Sequence, residues 1–332
     1  MNFRNCGNTN LKISEIGLGT ATIGNLFNVI NDQSAVDIVQ TAYELGVRYF
    51  DTSSEYGHGL AEIRLGQALR KYERDTFVIS TKVGDLLQAK HNCLPPESKF
   101  VNKLPFFLKY DYSYNGIMRS FEDSLQRLGF NRVDIVYVHD LDPHIHKKPL
   151  FEKHLQDFKS SGYKALKHLK DQGVVQAIGL GVRSVEVCIL AMEFGDYDCF
   201  MLQGGFTLLE QHALEKLIPQ CRRKGVTINI AGAFCSGVLA LGSKAGGYFH
   251  YKKADKKILN KIEEIENIGK SNGISLREMA INFPLLEKTI SSVVIGCQNT
   301  NHVVDNIRDY NKKIPSYLWE ELKKCQIRTK QV

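Results

Sequence analysis

The sequence predicts an α/β fold of one kind: a closed (β/α)8 barrel formed by residues 1–332 as a single domain, with its active site at the C-terminal face of the strands. Three observations carry that expectation. Short apolar, β-branched runs recur from one end of the chain to the other, and amphipathic segments with apolar residues at helical spacing lie between them. No linker-like change of composition interrupts the alternation. An open doubly wound sheet fits less well, because the first strand region, "EIGLGTATIGNL", lacks the G-x-G-x-x-G phosphate turn.

Taken in order, the strands are expected at 13–18, 47–51, 77–82, 133–139, 174–179, 199–203, 226–231 and 291–296. Segments such as "QSAVDIVQTAYELG", "GIMRSFEDSLQRLG", "GYKALKHLKDQG" and "HALEKLIPQCRRKG" read as the covering helices, each closed by a glycine that tolerates a left-handed cap. Two stretches fall outside the repeat. The long aromatic and Pro-containing segment 85–116 after the third strand has the character of a substrate-shaping loop. The Gly-rich, then basic, segment 236–257 after the seventh suits either a lid over a phosphate-bearing ligand or a plain surface loop.

Composition narrows the partners. The net charge is +7, but the basic residues are scattered singly and in pairs, which describes a solvated surface and not a nucleic-acid face. The 8 cysteines are dispersed without a C-x-x-C pair, as expected of reduced core residues in a cytoplasmic protein. The N-terminal "MNFRNCGNTN" has no apolar signal core, and no run approaches the roughly 18 apolar residues of a membrane span. The expected partner is therefore a small molecule, with no nucleic acid and no membrane, and the chain is read as a monomer or homodimer.

The strand exits carry the chemistry. Asp51, Lys82, His139 and Gln203 stand where apolar strands would otherwise continue, with Tyr56 just beyond Asp51 in "VRYFDTSSEYGHG". A phenol with a pKa near 10 is a poor acid or base at neutral pH, but a neighbouring ammonium stabilises the phenolate and corrects this. Asp51 would hold the Lys82 charge in a dry site, and His139 would orient the reacting oxygen. Nothing in the set activates a covalent nucleophile, so its natural complement is a hydride carrier. Thr52, Ser53 and Ser54 read as turn and capping residues. "VHDLDPHIH" (His139, Asp140, Asp142, His144, His146) has the composition of a metal site. No metal is expected there, because Pro143 separates the histidines and H-E-x-x-H spacing is absent.

"FDTSSEYG", "ISTKVG" and "VDIVYVHD" resemble the catalytic tetrad segments of the aldo-keto reductase superfamily, in the same order. "DYSYNGIMRSFEDSLQRLGFNRVDIVYVHDLDPH" and "DCFMLQGGFTLLEQ" are similar to the branch of D-threo-aldose 1-dehydrogenases, L-galactose dehydrogenases and pyridoxal 4-dehydrogenases. The resemblance implies that Tyr56 is the general acid/base, tuned by Lys82 and Asp51, and that His139 positions the substrate oxygen. It implies cofactor contacts from Gly19, Thr20, Asp51 and Gln203, and from Ala231, Gly232, Phe234, Ser236 and Gly237 after the seventh strand. Gly296, Cys297, Gln298, His302, Asp305 and Asn306 would hold the adenosine half, and His58, His139, Tyr114 and Asp140 the substrate.

Departures from the family pattern carry their own expectations. NADPH-specific members have Lys and Arg where this chain has Gly296 and His302, so the 2′-phosphate loses its cationic clamp and NAD is preferred, with NADP still possible. Gly181 and Val182 replace a Ser-Asn pair, and Ala231 replaces a stacking tyrosine, leaving Phe234 as its substitute. Arg183 faces either ligand or solvent. The resemblance thus implies NAD-dependent oxidation of an aldose at C1 to the lactone. A pyridoxal 4-dehydrogenase, a general aldehyde or ketone reductase, and a nicotinamide-binding regulatory barrel stand as alternatives.

Overall fold

The computed structural model describes residues 1–250, 252–323 and 325. Eight parallel strands close into a barrel: β1 (Ile16–Gly19), β2 (Tyr49–Asp51), β3 (Val78–Val83), β4 (Ile135–His139), β5 (Ala177–Val182), β6 (Cys199–Gln203), β7 (Thr227–Ala231) and β8 (Ile290–Gly296). The neighbour order is the chain order, and β8 closes on β1 through Gly296 opposite Gly19.

The helices form where caps and stripes agree. Asn31, Ser113, Ser184, Asp255 and Asn299 each accept a backbone N–H in the first turn of the helix that follows. Ser275 and Glu278 complete a reciprocal capping box. Gly129 and Gly225 end their helices in the left-handed conformation.

Strand side chains alternate, so each strand supplies two cores. Outward residues such as Phe50, Ile79, Val136, Ile178, Phe200 and Ile228 join the apolar stripes of the helices in one large cluster. Inward residues form a smaller one, with Tyr49, Val78, Ile135, Tyr137, Ala177, Cys199, Met201 and Val294 packed on Cys6, Leu11 and Ile13. Those last three belong to the N-terminal segment, whose hairpin (Phe3–Asn5 with Lys12–Ser14) closes the barrel floor.

Three expectations are corrected. The strand expected at 13–18 is broken at Glu15, whose carboxylate takes hydrogen bonds from Asn2, Arg4 and Tyr310 and so turns the chain from the hairpin into β1. The segment after β3 is partly sheet, because Asp85–Gln88 pairs antiparallel with Phe107–Tyr110. The helix expected from Gly162 is the second half of a longer one, joined to Lys148–Asp157 through a π-turn at Phe158–Gly162. Six of the 8 cysteines are buried, and all 8 are free thiols. Among the described residues no helix is long and apolar enough to cross a membrane.

Candidate active site

The site begins with alternation along β2, β3 and β4. Asp51, Lys82 and His139 each end or nearly end a strand, and each points inward two residues above another inward side chain. Their charged ends therefore converge inside the barrel mouth, where Asp51 and Lys82 are 2 % exposed and His139 is 6 % exposed.

Lys82 Nζ lies 2.7 Å from Asp51 Oδ2 and donates to the Thr52 carbonyl at 2.9 Å. The second Asp51 oxygen, Oδ1, accepts from Ser80 Oγ at 2.7 Å. With both lobes of the carboxylate occupied, the desolvation of the ion pair is offset by hydrogen bonds of good geometry. Above it, the half-buried ring of Tyr56 sits with Lys82 Nζ 4.6 Å from its centroid. The ring of His139 meets Tyr56 edge-on at 6.0 Å, and Phe100 covers another side at 5.8 Å. A phenol, an ammonium and an imidazole thus share one small volume, and this is an arrangement that can move a proton to or from an oxygen held between Tyr56 and His139.

His139 has a partner that sequence reasoning missed. Its Nδ1 lies 2.5 Å from Asp85 Oδ2 and 3.1 Å from Ser53 Oγ, while Nε2 faces Glu55 Oε2 at 3.7 Å and Asp140 Oδ1 at 3.9 Å. Burial alone would drive the imidazole toward neutrality, but Asp140, Asp85 and Glu55 together outweigh it and push His139 up to about 9. Burial raises Asp85 to about 6 despite the imidazolium beside it. At neutral pH the pair is therefore imidazolium and carboxylate, with Nε2–H available to an oxygen. Glu55 is also paired with Lys99 at 3.1 Å. The signal for Asp85 was present: "TKVGD" puts a carboxylate directly after a strand that is buried throughout, and Gly84, at φ +98, makes the turn that sends it back.

Other expected site residues stand as follows. Gly19 lies opposite Asp51 across β1 and β2, and the Thr20 N–H donates to the Asp51 carbonyl at 2.9 Å. Thr20 Oγ1 and Thr52 Oγ1 are buried without a hydrogen-bond partner among the described residues. Unsatisfied hydroxyls flanking Asp51 are what a polar group laid across these strand ends would satisfy, so the residues present fit a bound nicotinamide nucleotide there. Gln203 pairs with Ala231 across β6 and β7, beside Gly232. The turn after β7 runs through positive φ at Gly232, Cys235, Ser236 and Gly237, and no atom lies within 4 Å of where a Gly237 side chain would start. The ring of Phe234 is covered by the Arg277 guanidinium at 5.1 Å. Gly296, Gln298 and His302 are exposed on the β8 turn and the following helix.

Several expectations change in kind. Asn306 is buried, donating to Cys297 Sγ at 3.2 Å and accepting from Arg277 at 2.7 Å, so its amide braces the β8 turn. Asp305 holds Arg308 at 2.8 Å. Tyr114 is not brought to His139: its hydroxyl pairs with His168 of the outer helix Tyr163–Asp171. His58 is 6 % exposed and its Nδ1 engages the Phe106 carbonyl at 2.6 Å, which makes it a brace for the loop. Asp140 does face the site. The "VHDLDPHIH" cluster divides, with Asp142 accepting the backbone N–H groups of Arg183 and Ser184 at 2.8 Å and pairing with His144, while His146 meets the Tyr112 hydroxyl. The group of His, Cys, Asp and Glu with donor atoms close enough for a cation is instead Glu55, His139 and Asp140, within 4.8 Å of one another among the described residues. Nδ1 of that histidine is already committed to Asp85.

The profile of the Aldo/keto reductase family matches residues 15–327. A pyridoxal 4-dehydrogenase of Microbacterium luteolum is 34% identical over 330 residues, covering 96% of each chain. A D-threo-aldose 1-dehydrogenase of a Pseudomonas species is 33% identical over 322 residues, covering 96% of this chain and 95% of the other. Among solved structures, an aldo-keto reductase from Bacillus halodurans in its holo form superposes with a TM-score of 0.77 at 22% identity, covering 98% and 96% of the two chains, a likeness of fold. A family profile that spans nearly the whole chain, and two relatives above 30% identity, place this barrel: it belongs to the aldo/keto reductase family, as an oxidoreductase working with a nicotinamide cofactor.

Proposed function

We propose that this chain uses NAD to oxidise an aldose at its anomeric hydroxyl to the lactone, with Tyr56 as general acid/base. The observation that carries the reading is the placement of Lys82 Nζ 4.6 Å from the centroid of the Tyr56 ring, with His139 on the ring's edge. The ammonium favours the phenolate, and the phenolate takes the hydroxyl proton. His139 donates Nε2–H to the same oxygen and fixes its direction. A bound nicotinamide would supply the acceptor for the C1 hydride. Gly19, Thr20, Asp51 and Gln203 would hold its near half, and the turns after β7 and β8 the remainder.

An aldose, rather than a flat aromatic aldehyde, suits the acceptors around the reacting position. Glu55 and Asp140 present carboxylate oxygens within 3.9 Å of His139 Nε2, where the neighbouring hydroxyls of a polyol can donate to them. The 33% identity to a D-threo-aldose 1-dehydrogenase supports the same class. NAD is favoured because Gly296 and His302 occupy places where a 2′-phosphate would need cations. The enzyme would act as one catalytic unit in the cytoplasm, as a monomer or homodimer, in keeping with its buried free thiols.

The test is a screen of L-fucose, D-arabinose, L-galactose and pyridoxal against NAD and NADP. Strong NADPH-dependent aldehyde reduction without aldose oxidation would overturn the assignment, and pyridoxal turnover alone would move it to the other relative's reaction. Tyr56→Phe should lower turnover by at least about 10³-fold while NAD binding survives.

A further inference from the structure

Below the catalytic ion pair runs a buried line of hydroxyls that the proton-transfer set does not use. Ser80 Oγ donates to Asp51 Oδ1 at 2.7 Å, and the Tyr49 hydroxyl lies 3.0 Å from Ser80 Oγ. Tyr137 follows, its hydroxyl 3.2 Å from that of Tyr49, and Asn229 Nδ2 donates to the Tyr137 hydroxyl at 2.7 Å. All four residues are completely buried.

The direction of every bond in this line is forced. Each hydroxyl has one proton. Ser80 spends its proton on Asp51, so Tyr49 must donate to Ser80. Tyr49 has then spent its own, so Tyr137 must donate to Tyr49, and Tyr137 accepts from the amide of Asn229. Burial pushes both phenols well above their ordinary range, so neither gives up the proton that the line needs. A row of donors aligned head to tail polarises each bond in the same sense and ends on the one carboxylate that partners Lys82.

The line sits in the inward layer directly beneath the catalytic residues. Tyr49 and Tyr137 stand one step below Asp51 and His139 on the same inward faces. Tyr49 fits because β1 carries glycine beside it: a side chain at Gly17 would start 2.8 Å from the Tyr49 ring, whereas at Gly179 on β5 the tightest approach is the Cys199 carbonyl oxygen at 1.8 Å, with the Tyr137 ring 3.2 Å away. The Asn229 oxygen Oδ1 is buried without a partner among the described residues, which carries a desolvation cost.

We infer that Ser80, Tyr49, Tyr137 and Asn229 are positioning residues, a directed hydrogen-bond line that holds the Asp51 carboxylate in place and draws charge off it, so that Lys82 keeps its field on Tyr56. The inference rests on the proposed role of Tyr56 and adds to it a layer of residues that touch neither substrate nor cofactor. Breaking the line leaves the Asp51 charge more concentrated and its orientation looser. Lys82 is then more fully neutralised, and the Tyr56 phenol holds its proton to higher pH.

The experiment compares Ser80→Ala, Tyr49→Phe and Tyr137→Phe, each checked for an intact fold by thermal melting and for NAD binding by fluorescence titration. Two readouts are taken. One is the pH dependence of kcat/KM for aldose oxidation. The other is the ultraviolet absorbance titration of the Tyr56 phenol, isolated as the difference between each protein and the same protein carrying Tyr56→Phe, which needs no turnover. The expected result is that the Tyr56 step and the rise of kcat/KM move to higher pH together, by about half a unit to one unit in Ser80→Ala and by less in Tyr49→Phe and Tyr137→Phe, in that order. Unchanged steps in folded Ser80→Ala and Tyr49→Phe would overturn the inference. Absence of aldose turnover in the wild type would count against the proposed substrate alone, because the absorbance titration still decides whether the line tunes Tyr56. Ser80→Ala removes a single oxygen atom, so it is the variant that keeps the test open if a tyrosine variant fails to fold.

Discussion

At the scale of single residues, the pairing of Asp85 with His139 decides how the site responds to pH. His139, lifted from 6.5 to about 9, favours folding below about 6.5 and gives that contribution up as the pH rises through 9. Asp85, lifted from 3.8 to about 6, has the same sense: its protonated form favours folding below about 3.8, that contribution is lost as the pH rises through 6, and the ionised carboxylate counts against folding at neutral pH. The two shifts are similar in size, so near pH 7 the pair contributes little net stability, as is common for buried ion pairs. Its effect is to keep Nε2–H on the substrate side. Asp85→Asn removes one partner of that pair and should lower the urea midpoint at pH 7, because His139 loses a buried counter-charge. It should also bring the alkaline limb of kcat/KM for carbonyl reduction to lower pH by about one unit, because the imidazole loses an adjacent anion. A reductive profile whose alkaline limb stays in place would show that Asp140 and Glu55 alone hold the charge.

At the scale of elements, close approach sets the tolerances. Gly66 lies in the helix Leu60–Leu69, and a side chain there would start 2.0 Å from the carbonyl oxygen of Leu128, at the end of the helix Tyr114–Leu128. Alanine gains about 1 kcal/mol in helix propensity over glycine, but here it must push two packed helices apart. Gly66→Ala should destabilise the protein by about 1–3 kcal/mol in urea unfolding, the reverse of what propensity predicts. At the start of the helix Leu276–Asn282, Ser275→Ala breaks the capping box and should cost about 1 kcal/mol. The hairpin of Asp85–Gln88 and Phe107–Tyr110 shows how an element can decide a site: by adding two strands beside the mouth it fixes the direction of Asp85, where a free loop would leave that carboxylate in water.

At the scale of the whole molecule, the closed barrel gathers at its mouth the strand ends proposed to hold a nucleotide. A ligand that binds only the folded state stabilises it by mass action, about 2.7 kcal/mol at one hundred times its dissociation constant. NAD should therefore raise the melting temperature by a few degrees and NADP by less at equal concentration, and a larger shift with NADP would reverse the cofactor preference argued from Gly296 and His302. The sequence by itself determined the barrel, its eight strands to within a few residues, and the identities of Asp51, Tyr56, Lys82 and His139. Period-2 and period-3.6 patterning is local, and a polar residue at the end of an apolar run is visible without coordinates. Only the tertiary structure decided that Asp85 partners His139, that Asn306 and His58 are braces, that Tyr114 lies on an outer helix, and that four buried hydroxyl and amide groups line up beneath Asp51. The reason is physical. Apart from the Asn306 bond to Cys297, these hydrogen bonds join residues 29 to 92 positions apart, and they depend on how far each strand rises in the barrel and on which way a turn sends its first side chain, neither of which is written in any local stretch of the chain.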